Sequence, residues 1–439
     1  MMPRHLHHST RKGDLGLREL VAMGVGGMIG GGIFSILGLG VRIAGTGVVV
    51  ALGIGGAVAM FAAYSYARLS STFPTDGASY TYISRAFPEY PSFGSVTGWT
   101  VILGYMGTLS LYAFTFGAYA GDLIGFGGNP AVRMVLSSSI LLLLLAVNLG
   151  GARLTGASED IVVYTKIAIL ALFGIAGLVA TRDTLIVPIP DQGIGTIFIA
   201  GALIFVAYEG FQLIANAVEE TDDPARNVPR GMYTSVVVVT LIYVVLAYVA
   251  ISALSVDQLI AAKEYALAAA AQPVLGEAGT ILVGLAAILA TSSAVNSTLF
   301  GASRMMAEMG SDRVMPSSFA TRATSGAPKT ALVTLTVVGL GFSLAGSLEV
   351  IASFSSLTFL VVSLAVSVAN MRLRQRTGAT SWVVATGITL MAATITLLIW
   401  YLASHQPGNL AFVALLYIAA FAAQQLFARH LRSQAPSDG

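Results

Sequence analysis

The sequence predicts an all-α integral membrane protein of about twelve transmembrane helices, and three observations carry that prediction. The 439 residues are 56% hydrophobic and 10% charged, with a mean hydropathy of +0.80; a soluble domain carries about 25% charged residues. Apolar runs long enough to cross a hydrocarbon core of about 30 Å recur along the whole chain. The basic residues between those runs fall almost entirely on one side once the runs are counted as crossings.

The runs lie near residues 17–43, 46–70, 92–121, 131–150, 157–180, 195–218, 230–254, 278–306, 328–347, 350–371, 381–403 and 408–428. Polar punctuation separates them, including FPTDGASY, GFGGNP, EETDDPARNVPRG and RLRQRTG. Of the 23 Lys and Arg residues, Arg42, Arg133, Arg182 and Lys263 fall outside when the N-terminus is placed in the cytoplasm. Lys166 falls within a span, and the remaining 18 fall inside. One miscounted span would invert every later loop, so the bias supports the count and predicts a multi-pass cell-membrane protein with both termini cytoplasmic.

Taken in order, residues 1–16 read as a polar cytoplasmic tail. Its His5, His7 and His8 are read as incidental, so no metal is expected. The first apolar run is too long for the core of a cleavable signal. It contains GVGGMIGGGIFSILGLG, residues 24–40, in which glycine crowds the middle of a membrane helix. Glycine is about 1 kcal/mol poorer than alanine in a helix interior. Irregular backbone at membrane depth is tolerated only where it is buried in protein or lines a cavity. A break in span one, forming a ligand site from main chain, is the expectation.

Residues 78–88, ASYTYISRAFP, read as a short interfacial helix on the cytoplasmic side. Tyr105, Tyr112, Phe114 and Phe116 in span three either wall a pocket or pack against neighbouring helices. Lys166 lies about seven residues, or ~10 Å, inside span five. Two readings of it stay open: a stem that snorkels back to the interface, or a buried amine that gains and loses a proton during a cycle. Glu209, between Tyr208 and Gly210 in span six, is a candidate functional acid by its depth or else a structural, hydrogen-bonded one. Residues 256–276 are alanine-rich but too polar at Asp257, Lys263 and Glu264 to span, which predicts an external helix lying over the protein. Span eight carries Thr291, Ser292, Ser293, Asn296, Ser297 and Thr298, a pattern that helix packing alone explains. Residues 431–439 form a second cytoplasmic tail. With no cysteine in the chain, disulfides and cysteine catalysis are excluded.

Two weakened spans stand five apart, as expected when two five-helix halves with inverted topology each break at the midplane around a shared site. Half-helix N-termini offer N–H groups to an anion, and half-helix C-termini offer carbonyls to a cation. A zwitterion such as an amino acid needs both.

The runs GMIGGGIFSILG, FPTDGASYTYISRAFP and EETDDPARNVPRG, in this order and spacing, resemble the amino acid–polyamine–organocation permeases from about Leu17 to Arg376. The resemblance implies the leucine-transporter fold: a first repeat over 17–180, a second over 193–376, and two further helices over 381–430. It implies that an amino acid's carboxylate lies at the main chain of Gly30, Gly31 and Gly32. The amine would lie near Ile29 and the broken part of span six, Phe205 to Tyr208, including Ala207. EDIVVYTKIAILALFG resembles the segment of proton-coupled members that carries a lysine in span five, which implies a proton-coupling role for Lys166 with Gly26 and Ser292 or Ser293 as neighbours. Glu209 departs from the family pattern, where this position is usually apolar. It points either to a cationic substrate or to a second proton carrier.

The expected function is secondary active amino acid transport by proton symport and alternating access, with no catalytic residues and no enzyme activity. Exchange of cationic amino acids or polyamines is the alternative, followed by a passive channel or facilitator; a Ser–Lys intramembrane enzyme built on Lys166 and Ser292 is a remote third. The expected partners are a small-molecule amino acid and the lipid bilayer, not nucleic acid. No cofactor is expected, the proton gradient being the energy source. The oligomeric state is left open.

Overall fold

The computed structural model describes residues 15–75, 77–150, 152–181 and 191–434, with side chains for all of these except 152–160 and 429–434. His5, His7, His8, Arg182 and most of both expected tails lie outside the described residues.

Among the described residues the chain is helical, with two isolated β-bridges and no strand. In order, the helices are α1 Leu17–Met28, α2 Leu37–Ala44, α3 Val48–Thr72, α4 Ala78–Ala86, α5 Pro91–Leu123 and α6 Pro130–Leu149. They continue with α7 Ala152–Ala180, α8 Ile194–Ile204, α9 Phe211–Ala215, α10 Pro224–Ala253, α11 Val256–Ala261 and α12 Ala266–Ser311. The last five are α13 Lys329–Ala345, α14 Leu348–Arg372, α15 Arg374–Thr377, α16 Ser381–His405 and α17 Pro407–Gln434. Among the described residues ten stretches are long and apolar enough to cross a membrane; one of them, Leu17–Thr72, holds the broken α1–α2 and α3, and α13 is a shorter apolar helix, which brings the count to twelve.

Local chemistry sets many of the helix starts. Pro91, Pro130 and Pro224 occupy first positions, where a missing N–H is no loss. The Asn129 side chain accepts from the N–H groups of Ala131 and Val132, and Ser255 with Gln258 forms a capping box at α11. Such caps satisfy donors that a helix start leaves unpaired.

Both expected breaks are present. Span one is α1 and α2, interrupted at Ile29–Gly30, with a π turn at Gly32–Ile36. Span six is α8, a 3-10 turn at Phe205–Tyr208, an extended Glu209, a turn at Gly210 and the short α9. The span-six stretch and α5 are almost wholly buried, whereas α6, α16 and α17 form a mostly exposed rim. That rim shows Leu142, Leu143, Trp382, Leu415, Ile418 and Phe421 outward. So much exposed apolar surface is suited to lipid rather than to water.

One element differs from expectation. The single helix expected over 256–276 is α11, a 3-10 turn at Lys263–Tyr265 and the start of α12, which kinks at Gly276 (φ +69°). At the 3-10 turn the Lys263 carbonyl sits on Gly38 of α2, where any Cβ would stand 2.5 Å from that oxygen.

Candidate functional site

The two broken spans meet at their breaks. Gly210 has φ +152°, a conformation that side-chain-bearing residues rarely adopt. A Cβ there would lie 2.4 Å from the Met28 nitrogen. Gly32 makes the second close approach, since a Cβ on it would lie 2.5 Å from that of Ala207. Glycine therefore lets two irregular backbones touch where the helices stop.

Stopping α1 in the middle of the bundle leaves its last carbonyls without helical partners, and side chains from three other helices supply the donors. Lys166 of α7 donates from Nζ to Gly26 O (3.0 Å) and Ile29 O (2.8 Å). Tyr112 of α5 donates to Gly27 O (3.2 Å). The Tyr243 hydroxyl of α10 lies 2.5 Å from Met28 O and 3.0 Å from Ala207 O, so it bridges both breaks. Ser356 of α14 serves span six, accepting from Val206 N (2.9 Å) and donating to Leu203 O (2.5 Å).

Lys166 and Glu209 are the two charged side chains with 0% exposure among the described residues. They sit on opposite terms with their surroundings. Lys166 bonds to two carbonyls at the end of α1, Gly26 O and Ile29 O. Neither carboxyl oxygen of Glu209 makes a hydrogen bond of good geometry, although the Tyr112 hydroxyl lies close enough to interact with it. Tyr66, Tyr105 and Tyr112 stand around that carboxyl, but the Tyr112 proton is directed to Gly27 O.

The other expected site residues are distributed as follows. A Cβ on Gly30 or Gly31 would meet Ala294, Tyr112 or Thr115, so both glycines are closely packed on their Cα side. The Ile29 carbonyl, expected near a ligand amine, is taken by Lys166. Phe205 and Ala207 are buried in the 3-10 turn. Tyr208 points to α3, donating to Leu52 O (2.7 Å). Ser292 and Ser293 are not hydrogen-bonded to Lys166: the Ser292 hydroxyl returns to Ile288 O (2.7 Å) and the Ser293 hydroxyl has no partner. Helical serines commonly bond back to the preceding turn, which sequence position alone does not reveal. Tyr243 and Ser356 were missed. A hydroxyl on a mid-span tyrosine must find a buried acceptor, and that is the signal Tyr243 carried.

Span one is tied at both ends. Leu15 exchanges main-chain bonds with Glu220 and Asp222 beyond α9 (3.0 and 2.8 Å), and Glu220 pairs with Arg304 of α12 (2.9 Å). At the opposite end Arg42 pairs with Glu349 at the start of α14.

A family model described as amino acid permease matches residues 15–421. The chain belongs to the amino acid permease family. An uncharacterized protein of Methanocaldococcus jannaschii is 32% identical over 392 residues, covering 88% of this chain and 89% of the relative. The inner membrane transport protein YbaT of Escherichia coli is 33% identical over 82% of this chain and 84% of its own length. The branched-chain amino acid permease BcaP of Bacillus subtilis is 27% identical over 70% and 69%. This permease is thus an amino acid transporter of the bilayer with a leucine-transporter-like fold, rather than an enzyme. Its two broken helices are where that fold brings its repeats together.

The permease's bridging hydroxyl gives a direct stability prediction. Tyr243→Phe removes one donor from a site with two acceptors at breaks in the helix ladder. A buried carbonyl left unsatisfied costs about 1–3 kcal/mol; Met28 O keeps the Gly30 N–H (2.8 Å), so the loss falls mainly on Ala207 O. The variant is expected to unfold at lower temperature than wild type in a detergent melt, whereas Tyr248→Phe, at a half-buried position on the same helix, is expected to match wild type.

Proposed function

We propose that this permease is a proton-coupled amino acid symporter working by alternating access, with both termini in the cytoplasm. The observation that carries the reading is the placement of Lys166, fully buried, with its ammonium on the carbonyls of Gly26 and Ile29. A lysine with its head buried on main chain is not one that snorkels to the interface. Protonated, it clamps α7 to the break of span one. Without its proton it has one fewer N–H and no charge to hold those carbonyls, so the clamp weakens and the first half of span one is free to move.

In this cycle the amino acid carboxylate meets the N–H groups that open the second half of span one, at Gly30–Gly32, after Tyr112, Thr115 and Ala207 withdraw. Protonation of Lys166 favours the closed or outward-facing arrangement, and loss of the proton to the cytoplasm favours the inward-facing one. Ligand and proton shift these populations only through differing contacts in the two states. No cofactor is required. The 18-to-4 placement of basic residues supports the orientation.

Wild-type protein in sodium-free proteoliposomes tests the reading. A pH gradient, acidic outside, is expected to drive accumulation of a labelled amino acid above its external concentration, and a protonophore is expected to abolish it. Accumulation that follows an imposed sodium gradient and ignores the pH gradient would overturn it.

A further inference from the structure

Five arginines meet at the end of the bundle that the proposed orientation puts in the cytoplasm. Residues 373–380 connect α14 to α16, and they carry Arg374 and Arg376 directly after Arg372. A link this short between two crossings is held at headgroup depth. Its place on the bundle is fixed. The Thr380 N–H donates to the Tyr64 hydroxyl of α3 (2.9 Å), and Thr377 Oγ1 donates to Asn370 Oδ1 (2.9 Å). Arg68 lies over the ring of the same Tyr64, its guanidinium carbon 5.4 Å from the ring centre. Arg85, in the last turn of α4, lies over Phe73 at the end of α3 (4.9 Å). Arg372 lies over Phe87 (4.7 Å) and pairs with Glu89. The ends of α3, α4 and α14, with α15, thus bring the five to one surface.

The charge there is strongly unbalanced. All five side chains are exposed. Among the described residues Glu89 is the one carboxylate paired with any of them, and Arg68, Arg85, Arg374 and Arg376 have no acidic partner. Two acids of this end face the other end of α4: Asp312 accepts from Tyr80 (2.9 Å), and Glu308 lies against Gly77.

Aromatic rings border the arginines. Tyr90 and Phe93, stacked at 5.2 Å, and Trp382 at the start of α16 are each at least half exposed. Exposed tyrosine and tryptophan at the ends of crossings mark the membrane–water interface, so the arginines stand level with lipid phosphates. A bias of basic residues to one side orients a chain without any ligand. That bias does not require guanidinium groups to be set on fixed rings around an anchored turn. The guanidinium fork matches phosphate oxygens, and a cluster of about four to eight basic residues at a membrane face attracts anionic headgroups.

We propose that the surface formed by Arg68, Arg85, Arg372, Arg374 and Arg376 binds the headgroup of an anionic phospholipid from the adjoining leaflet. Native mass spectrometry of the purified full chain in detergent, titrated with dioleoyl phosphatidylglycerol or dioleoyl phosphatidylcholine, tests it. The two lipids share acyl chains and differ in net headgroup charge. Wild type is expected to bind the first phosphatidylglycerol at least about tenfold more tightly than phosphatidylcholine, and added salt is expected to shrink that preference. Arg374→Gln/Arg376→Gln is expected to bring the ratio close to one. Arg313→Gln/Lys329→Gln, at exposed basic residues elsewhere on the same end, is expected to keep it. If the first variant fails to fold, Arg85→Gln takes its place, with a severalfold fall expected. A wild-type ratio near one, an unchanged ratio in the variant, or an equal loss in the control overturns the proposal. Displacement of phosphatidylglycerol by excess inorganic phosphate assigns the surface to a soluble anion and overturns it as well. Neither a gradient nor an amino acid is present, so failure of the transport reading would leave the ratio unchanged.

Discussion

Gly210→Ala is expected to abolish transport and to lower the unfolding temperature of the detergent-solubilised protein. The added Cβ would meet the Met28 nitrogen at 2.4 Å and the Gly27 carbonyl carbon at 2.6 Å. These are backbone atoms of the span-one break, so no side chain can rotate away to relieve the contact. Overpacking a closed core costs about 1–3 kcal/mol, and holding a non-glycine residue in a sparsely populated backbone region adds about 1–3 kcal/mol. Relief requires the two broken spans to separate. That would also displace the Tyr243 hydroxyl that bridges Met28 and Ala207. Gly341→Ala is the control: it lies in α13 with nothing within 4 Å of its would-be Cβ, and it is expected to transport like wild type.

Lys166→Ala is expected to end accumulation driven by a pH gradient while leaving downhill exchange of the amino acid measurable. The ammonium is the donor to Gly26 O and Ile29 O, and its loss leaves two buried acceptors at about 1–3 kcal/mol each. The closed arrangement is therefore weakened, and its population no longer depends on a proton at this position. Lys166→Arg keeps the charge but has a wide planar head that remains protonated at any working pH. It is expected to lock the clamp rather than cycle it, so it too should fail to accumulate.

Much of the fold was legible because the bilayer enforces it. Span positions follow from apolar length, and the breaks at Ile29–Gly30 and Glu209–Gly210 follow from glycine where lipid allows no loose backbone. The depth of Lys166 and Glu209 was legible for the same reason, since charge at midplane is rare. The partners were harder to read. Tyr243, Ser356 and Tyr112 reach the breaks from α10, α14 and α5, and no spacing within one helix tells which face meets a distant main-chain carbonyl. Ser292 and Ser293 show the converse. The family resemblance implied one of them as a neighbour of Lys166, yet the nearest acceptor for a helical serine is its own preceding turn, and Ser292 takes it. The external segment was misjudged as one helix because its composition is helical throughout, while the chain turns at Lys263–Tyr265, where the Lys263 carbonyl meets Gly38, and again at Gly276.

Proton movement measured alongside substrate tests the central claim most directly. Proteoliposomes loaded with a pH-sensitive dye, with no imposed gradient, receive the transported amino acid on the outside. The wild-type protein is expected to acidify the lumen as the substrate enters, and Lys166→Ala is expected to admit substrate with no acidification. Equal acidification in the wild type and in Lys166→Ala would contradict the assignment of the coupling proton to this lysine.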